Sequence, residues 1–209
     1  MDSSNGYEEI AERFIAARNP EIGAVAVRGW AESLPVGASV LDLGCGHGVP
    51  IARILTEKEC RIYAVDASTR LLRDSQKRFP GATTEQAAVE ESDFFGRQFD
   101  GVIARGLLFL LTAETQELVL QKAAKALQPE GQLLFTSPEE AVRWKDAMTR
   151  RTSVSPGRDR YRRILAAAGV LLYQEMKDGG GNHCYAASKR AQTAHDGFCM
   201  PGITILNQR

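Results

Sequence analysis

The residues best suited to chemistry lie in one stretch, Val40-Leu41-Asp42-Leu43-Gly44-Cys45-Gly46-His47-Gly48-Val49-Pro50. An apolar strand pattern runs into three glycines at alternate positions and then into a helical pattern. Without β-carbons the backbone can approach a ligand closely. The start of the following helix offers N–H groups that no carbonyl of the helix can satisfy. Such a turn suits two cofactor classes. A dinucleotide turn reads G-x-G-x-x-G, with pyrophosphate over the helix start. Here the third glycine, Gly48, comes one residue early. Asp42, two residues before the first glycine, would repel pyrophosphate but favours a ligand carrying an ammonium and a sulfonium. The sign of that charge points to S-adenosylmethionine rather than NAD. A second acid, Asp66, ends Ile62-Tyr63-Ala64-Val65-Asp66 about 20 residues past the glycines, where a carboxylate accepts hydrogen bonds from ribose hydroxyls in either class. His47, within the turn, is read as a steric element.

These groups need a scaffold, and the hydrophobic periods describe one. Strand patterns fall at 39–43, 61–65, 84–87, 99–103, 132–136, 170–176 and 183–188, with helical periods between them. Helices are expected over 7–18, from Asn19-Pro20 to about Leu34, and over 49–57, 112–127 and 157–168. A further one, capped by Ser68 or Thr69, closes at Pro80-Gly81. The stretch 138–149 is also read as helical. Alternation of strand and helix implies a parallel sheet covered on both faces. Only Lys177 to Asn182 separates the last two strands, too few residues for a parallel crossover, so these run antiparallel. The fold class is therefore α/β: a mostly parallel seven-stranded sheet with an antiparallel last strand. Residues 1–190 form a single domain, with 1–36 a helical lid segment and 137–160 an insert at the acceptor site. Residues 191–209 read as a loosely packed tail.

The chain has 209 residues, 44% of them hydrophobic and 25% charged, which supports a buried core within an ordinary surface. The formal net charge is zero, so no global field draws the chain to nucleic acid or to a lipid surface. The polar start lacks the pattern of a secretory signal, no stretch is long enough for a membrane span, and the expectation is a cytoplasmic protein. Cys45, Cys60, Cys184 and Cys199 show neither C-x-x-C spacing nor paired histidines, so free thiols and no metal are expected. The basic run from Arg150 to Arg163 reads as a solvated face, and Trp30 and Trp144 as packing residues. Asn182-His183, on the closing hairpin, is a candidate acceptor contact, with His183 the candidate base.

VLDLGCGHG, YAVDAS, FDGVIARGLLFLL, ALQPEGQLLFTSP and the hairpin GGGNHCYA together resemble the class I S-adenosylmethionine-dependent methyltransferases, over roughly Tyr7 to Ser188. The resemblance implies a Rossmann-like methyltransferase sandwich. It places Asp42, Gly44, Cys45, Gly46 and Gly48 around the methionine part of the cofactor. It puts Asp66 on the ribose, with Ala67 and Ser68 beside the adenine. Counting back from Phe99-Asp100, it puts Ala88, Val89 and Glu90 at the adenine edge, with Ala88 where the family often has an acid. Ala104, Arg105 and Gly106 would flank the methionine and face the acceptor. Tyr7 and Arg18 resemble lid residues, and Arg18 can pair with the methionine carboxylate. Ala104-Arg105-Gly106-Leu107 stands where the subgroup acting on nucleobases or glutamine carries NPPY or DPPY. The implied activity is methyl transfer to an O or N atom of a small-molecule acceptor, releasing S-adenosylhomocysteine. The alternatives are an NAD-dependent oxidoreductase and a protein or RNA methyltransferase.

Overall fold

All five residues of β1, Ser39–Leu43, are buried, as a strand covered on both faces requires. The computed structural model describes residues 3–191. Around β1 lie β2 (Arg61–Asp66), β3 (Thr83–Gln86), β4 (Phe99–Ala104), β5 (Leu127–Thr136), β8 (Val170–Lys177) and β9 (His183–Lys189). Two further strands, β6 (Ala141–Lys145) and β7 (Thr152–Pro156), pair only with each other. The seven-stranded sheet has the order β3-β2-β1-β4-β5-β9-β8. β1 to β5 are parallel, and β9 runs antiparallel to both its neighbours. The sheet class and the antiparallel last strand are as the sequence led us to expect.

Alternate side chains of the strands serve two cores. Leu41, Leu43, Val102, Leu133 and Phe135 pack against α5 (Ala113–Ala126) and α6 (Arg158–Ala167). Val40, Ile62, Ala64, Ile103 and Leu134 pack against α2 (Ala24–Glu32) and α3 (Ile51–Glu57). Trp30 presses on β4 at Gly101, where a β-carbon would come within 2.9 Å of its ring. The remaining helices are α1 (Ala11–Ala17) and α4 (Thr69–Arg78), whose Ser68 cap accepts from the Leu71 N–H. The strand order reverses at β1, with β2 on one side and β4 on the other. That opens a crevice at the carboxyl ends of the parallel strands, where ligands of such sheets bind.

Two elements differ from expectation. The helix expected over 138–149 is instead the β6–β7 hairpin, with Ala141 opposite Pro156 and Lys145 opposite Thr152. Asp146 Oδ1 accepts from the Met148 and Thr149 N–H groups, which reverses the chain where a helix would continue. In β7, Ser153 and Ser155 are buried and Thr152 is exposed, the period of two that marks a strand. The first helix starts at Ala11 rather than near Tyr7, because Asn5 and Gly6 take positive φ and the chain from Ser4 runs as turns. The expected tail falls almost wholly outside the described residues.

A buried polar network fixes the hairpin to the body. Gln116, wholly buried on α5, donates to the carbonyls of Leu111 (3.0 Å) and Val154 (2.8 Å). Its Oε1 meets the Tyr161 hydroxyl at 2.6 Å, and that hydroxyl also bonds Ser137 Oγ at 2.7 Å. Removing the amide would leave two buried carbonyls without this donor, at about 1–3 kcal/mol for each such group. Gln116→Ala is therefore expected to lower the urea midpoint by the equivalent of about 3 kcal/mol, and an unchanged midpoint would show that the network does not hold the hairpin.

Candidate active site

The glycine turn is built by contacts to the end of β2. The N–H groups of Gly44 and Cys45 both donate to the Val65 carbonyl, at 2.8 and 3.2 Å. Gly44 has φ +68°, and a side chain there would strike Leu107 at 2.9 Å. Gly46 N–H then reaches Asp66 Oδ2 at 2.7 Å, while Ser68 N–H holds Asp66 Oδ1 at 2.8 Å. Both carboxylate oxygens are thus oriented by backbone, and each keeps a further lone pair for a ligand. Burial raises the Asp66 pKa, and the two N–H groups oppose the rise.

A cavity of about 190 Å³ opens at this point. Of the residues expected from the sequence, Tyr7, Arg18, Gly44, Cys45, Gly46, Asp66, Ala67, Ala88, Val89, Glu90 and Arg105 line it together. Asp42, Gly48, Ser68 and Ala104 are buried outside that lining. Gly48 sits where a β-carbon would meet the Phe79 ring at 2.7 Å, and Ser68 is engaged as the α4 cap. His183 lies away from the cavity, its Nε2 3.0 Å from Glu175 and its Nδ1 3.7 Å from Glu139. The basic run is spent on the protein itself: Arg158 pairs with Glu139, Arg160 with Glu117 and Arg162 with Glu175.

Charge is distributed unevenly along the cavity. Asp42 is fully buried with neither carboxylate oxygen hydrogen-bonded, and burial together with Asp66 pushes its pKa up to about 8. An orphaned buried carboxylate at the foot of the glycine turn suits a cationic ligand. Arg105 forms a buried ion pair with Asp178 from the β8–β9 loop. Its guanidinium lies on Gly23, where a β-carbon would come within 2.0 Å of it. Arg18 lines the same cavity with its Nε buried and unpartnered. Burial and the neighbouring Arg105 lower its pKa. Two guanidiniums and one aspartate leave one positive charge, which matches a single carboxylate on a ligand.

Other contributors were not evident from the sequence. Lys122 of α5 donates to three carbonyls of the 89–92 loop: Val89 (3.2 Å), Glu90 (2.7 Å) and Ser92 (2.6 Å). It thereby fixes the two residues that form one end of the cavity. The N-terminal segment and the hairpin cover the opposite side. Glu8 takes the Ser68 hydroxyl (2.6 Å) and the Arg70 N–H (3.1 Å), Asn5 donates to the Leu110 carbonyl (2.6 Å), and Arg13 donates to the Met148 carbonyl. Phe14 and Asp146 join the lining from these elements, and Phe109 from the turn that follows β4. The glycine spacing carries no trace of them, because they arrive by long-range packing. Among the described residues no cluster of three metal-binding side chains occurs, and no helix is long and apolar enough to cross a membrane.

Comparison with known proteins agrees with this geometry. Residues 40–131 match a family model described as a methyltransferase domain. The cypemycin N-terminal methyltransferase of Streptomyces sp is 33% identical over 170 residues, covering 77% of this chain and 68% of that protein. The biotin biosynthesis bifunctional protein BioHC of Teredinibacter turnerae is 34% identical over 111 residues, covering 46% of this chain, which spans only 19% of that protein. Magnesium protoporphyrin IX methyltransferase from Synechocystis PCC 6803 with bound SAH has the same fold. Its TM-score is 0.71 at 16% identity, covering 90% of this chain and 96% of that one. The residues present fit S-adenosylmethionine: an orphaned buried carboxylate for positive charge, a free guanidinium for a carboxylate, and an oriented acid for a diol.

Two outcomes follow. The Asp42 carboxyl titrates higher in the folded chain than the usual unfolded value near 4, so protonated Asp42 favours folding. Its contribution is complete below about pH 4 and is lost as pH rises toward 8, by up to about 1.4 kcal/mol per pH unit. Thermal melts of the ligand-free chain should therefore lose stability over that window relative to Asp42→Asn; parallel curves would refute the assignment. Separately, Lys122→Met should weaken S-adenosylhomocysteine binding about tenfold by calorimetry, the scale of one or two lost hydrogen bonds, with Lys122→Arg restoring part of it.

Proposed function

The chain belongs to the class I S-adenosylmethionine-dependent methyltransferase family, and we propose that it moves the methyl group to an O or N atom of a small-molecule acceptor. The bound cofactor supplies an electrophilic methyl group on a sulfonium. The chain's own residues bind and orient. In this reading Arg18 takes the methionine carboxylate, and Asp42, protonated behind the glycine turn in the ligand-free chain, ionises as the cofactor's positive charge arrives. Asp66 accepts from the ribose hydroxyls, and Val89 and Glu90 meet the adenine. Arg105 and Tyr7 close the methionine end. His183, engaged by Glu175 and Glu139, has no part in the transfer.

The observation that carries the small-molecule reading is the cover. The N-terminal segment and the hairpin are hydrogen-bonded across the mouth of the cavity, and the lining beneath them includes Phe14, Phe109, Leu110 and Leu111. A small, partly apolar body fits under such a cover. Holding the acceptor atom in line with the S–CH3 bond and away from water is the service the cover performs.

Calorimetry should show micromolar binding of S-adenosylhomocysteine and none of NADH, and Asp66→Ala should weaken that binding by at least ~1 kcal/mol. Labelled methyl transfer to a panel of small alcohols, phenols and amines should exceed transfer to folded protein or RNA. Transfer to macromolecules alone would overturn the acceptor assignment.

A further inference from the structure

We propose that the acceptor is an aliphatic amine and that Asp146 selects it. The inference rests on the methyl-transfer reading above and narrows its acceptor. Among the described residues three carboxylates line the cavity: Asp66, Glu90 and Asp146. Asp66 and Glu90 stand at the ribose and adenine positions of that reading. Asp146 comes from the covering hairpin and faces Tyr7 of the covering N-terminal segment, so it belongs to the side the acceptor enters. It is 9% exposed. Its Oδ1 is held by the Met148 N–H at 3.0 Å, the Thr149 N–H at 2.7 Å and the Thr149 hydroxyl at 3.0 Å. These donors and the Tyr7 hydroxyl, which also hydrogen-bonds the carboxylate, are neutral, so they aim it without cancelling its charge. Beside it stands Tyr7, which packs edge to face on Phe14 with ring centroids 5.2 Å apart. Phe109 also lines the cavity. A fixed carboxylate among aromatic rings attracts an ammonium by charge and by the ring quadrupoles.

The other side chains argue the same way. An alcohol acceptor must lose its proton as the methyl group arrives, and that needs a base matched to neutral pH. Burial and Asp146 push the Tyr7 hydroxyl up to about 12. Burial and the flanking Arg78 and Arg18 push the His47 imidazole down to about 4. Burial holds the Cys45 thiol well above its ordinary value. None of these is matched to neutral pH. The amine reacts from its neutral form, having passed its ammonium proton to water on entry, and then needs no base as the methyl group arrives. Its lone pair forms the N–CH3 bond, the C–S pair returns to sulfur, and the positive charge passes from sulfur to nitrogen. The methylated ammonium keeps its protons until it reaches water. The charge thus develops beside Asp146, where a preoriented carboxylate stabilises it.

The test uses the chain saturated with S-adenosylhomocysteine. Calorimetry is run with phenethylamine, with the dipeptide phenylalanylalanine and with phenethyl alcohol, and labelled transfer from S-adenosylmethionine is measured for the same three. At least one amine should bind and be methylated, and the alcohol should do neither. Phenethylamine against the dipeptide shows whether the amine belongs to a small molecule or a peptide terminus. Asp146→Asn keeps the turn's acceptor oxygen and removes the charge. It should weaken amine binding at least tenfold and leave S-adenosylhomocysteine affinity within twofold. Methylation of the alcohol at or above the amine rate, no binding of either amine, or unchanged amine affinity in Asp146→Asn would each overturn the proposal. Failure of S-adenosylhomocysteine to bind the unaltered chain would instead sink the methyl-transfer reading itself.

Discussion

One carboxylate holds the site together. Asp66 accepts from Gly46 on one side and from Ser68 on the other, so it joins the loop after β1 to the start of α4. The loop after β1 is in turn hung from the Val65 carbonyl. Neither loop has an independent conformation. The shape of the glycine turn, the direction of α4 and the exposure of the acid to ligand are one constraint. That economy depends on the sheet order: only because β2 lies directly beside β1, in parallel register, do Leu43 and Val65 end at the same height.

Arg18 and Arg105 show how two like charges can share one end of a cavity. Two guanidiniums approach one another there, which is unfavourable unless one is neutralised. Asp178 neutralises Arg105, and the packing of that guanidinium on Gly23 leaves no space for alternatives. Arg18 keeps its charge for a ligand. Opposite it, Asp42 is buried without a hydrogen bond. A ligand bearing both an anionic and a cationic group is met by the Arg18 charge and by a carboxyl that ionises as positive charge approaches.

Much of the scaffold was legible because burial writes itself into sequence. Ser39–Leu43 reads as a strand, and the short link between β8 and β9 forces them antiparallel. Capping is equally local: Ser68 announces α4 three residues ahead of the N–H it accepts from. The β6–β7 hairpin was not legible as strands, since its inward residues are serines whose burial depends on Gln116 and Tyr161 elsewhere in the chain. Lys122 was opaque for the same reason. A lysine on a helix ordinarily reads as solvated, and nothing near it in sequence shows that it meets three carbonyls some thirty residues away. Asp146 looked like one more charge in a stretch read as helix. Residues that touch a ligand through the backbone of a motif can be found from spacing; residues that act by holding another loop cannot.

The cover over the cavity is fastened chiefly by single polar contacts: Glu8 on α4, Asn5 on the Leu110 carbonyl, Arg13 on the Met148 carbonyl. Each is worth about 1 kcal/mol, far less than the packing that holds the sheet. Contacts of that size open more readily than the packed floor that carries Asp66. Traffic through the cavity becomes a matter of timing. A change of salt that loosens Glu8, Asn5 and Arg13 frees the segment that also carries Tyr7 and Arg18, so access to the cavity and the shape of its wall vary together.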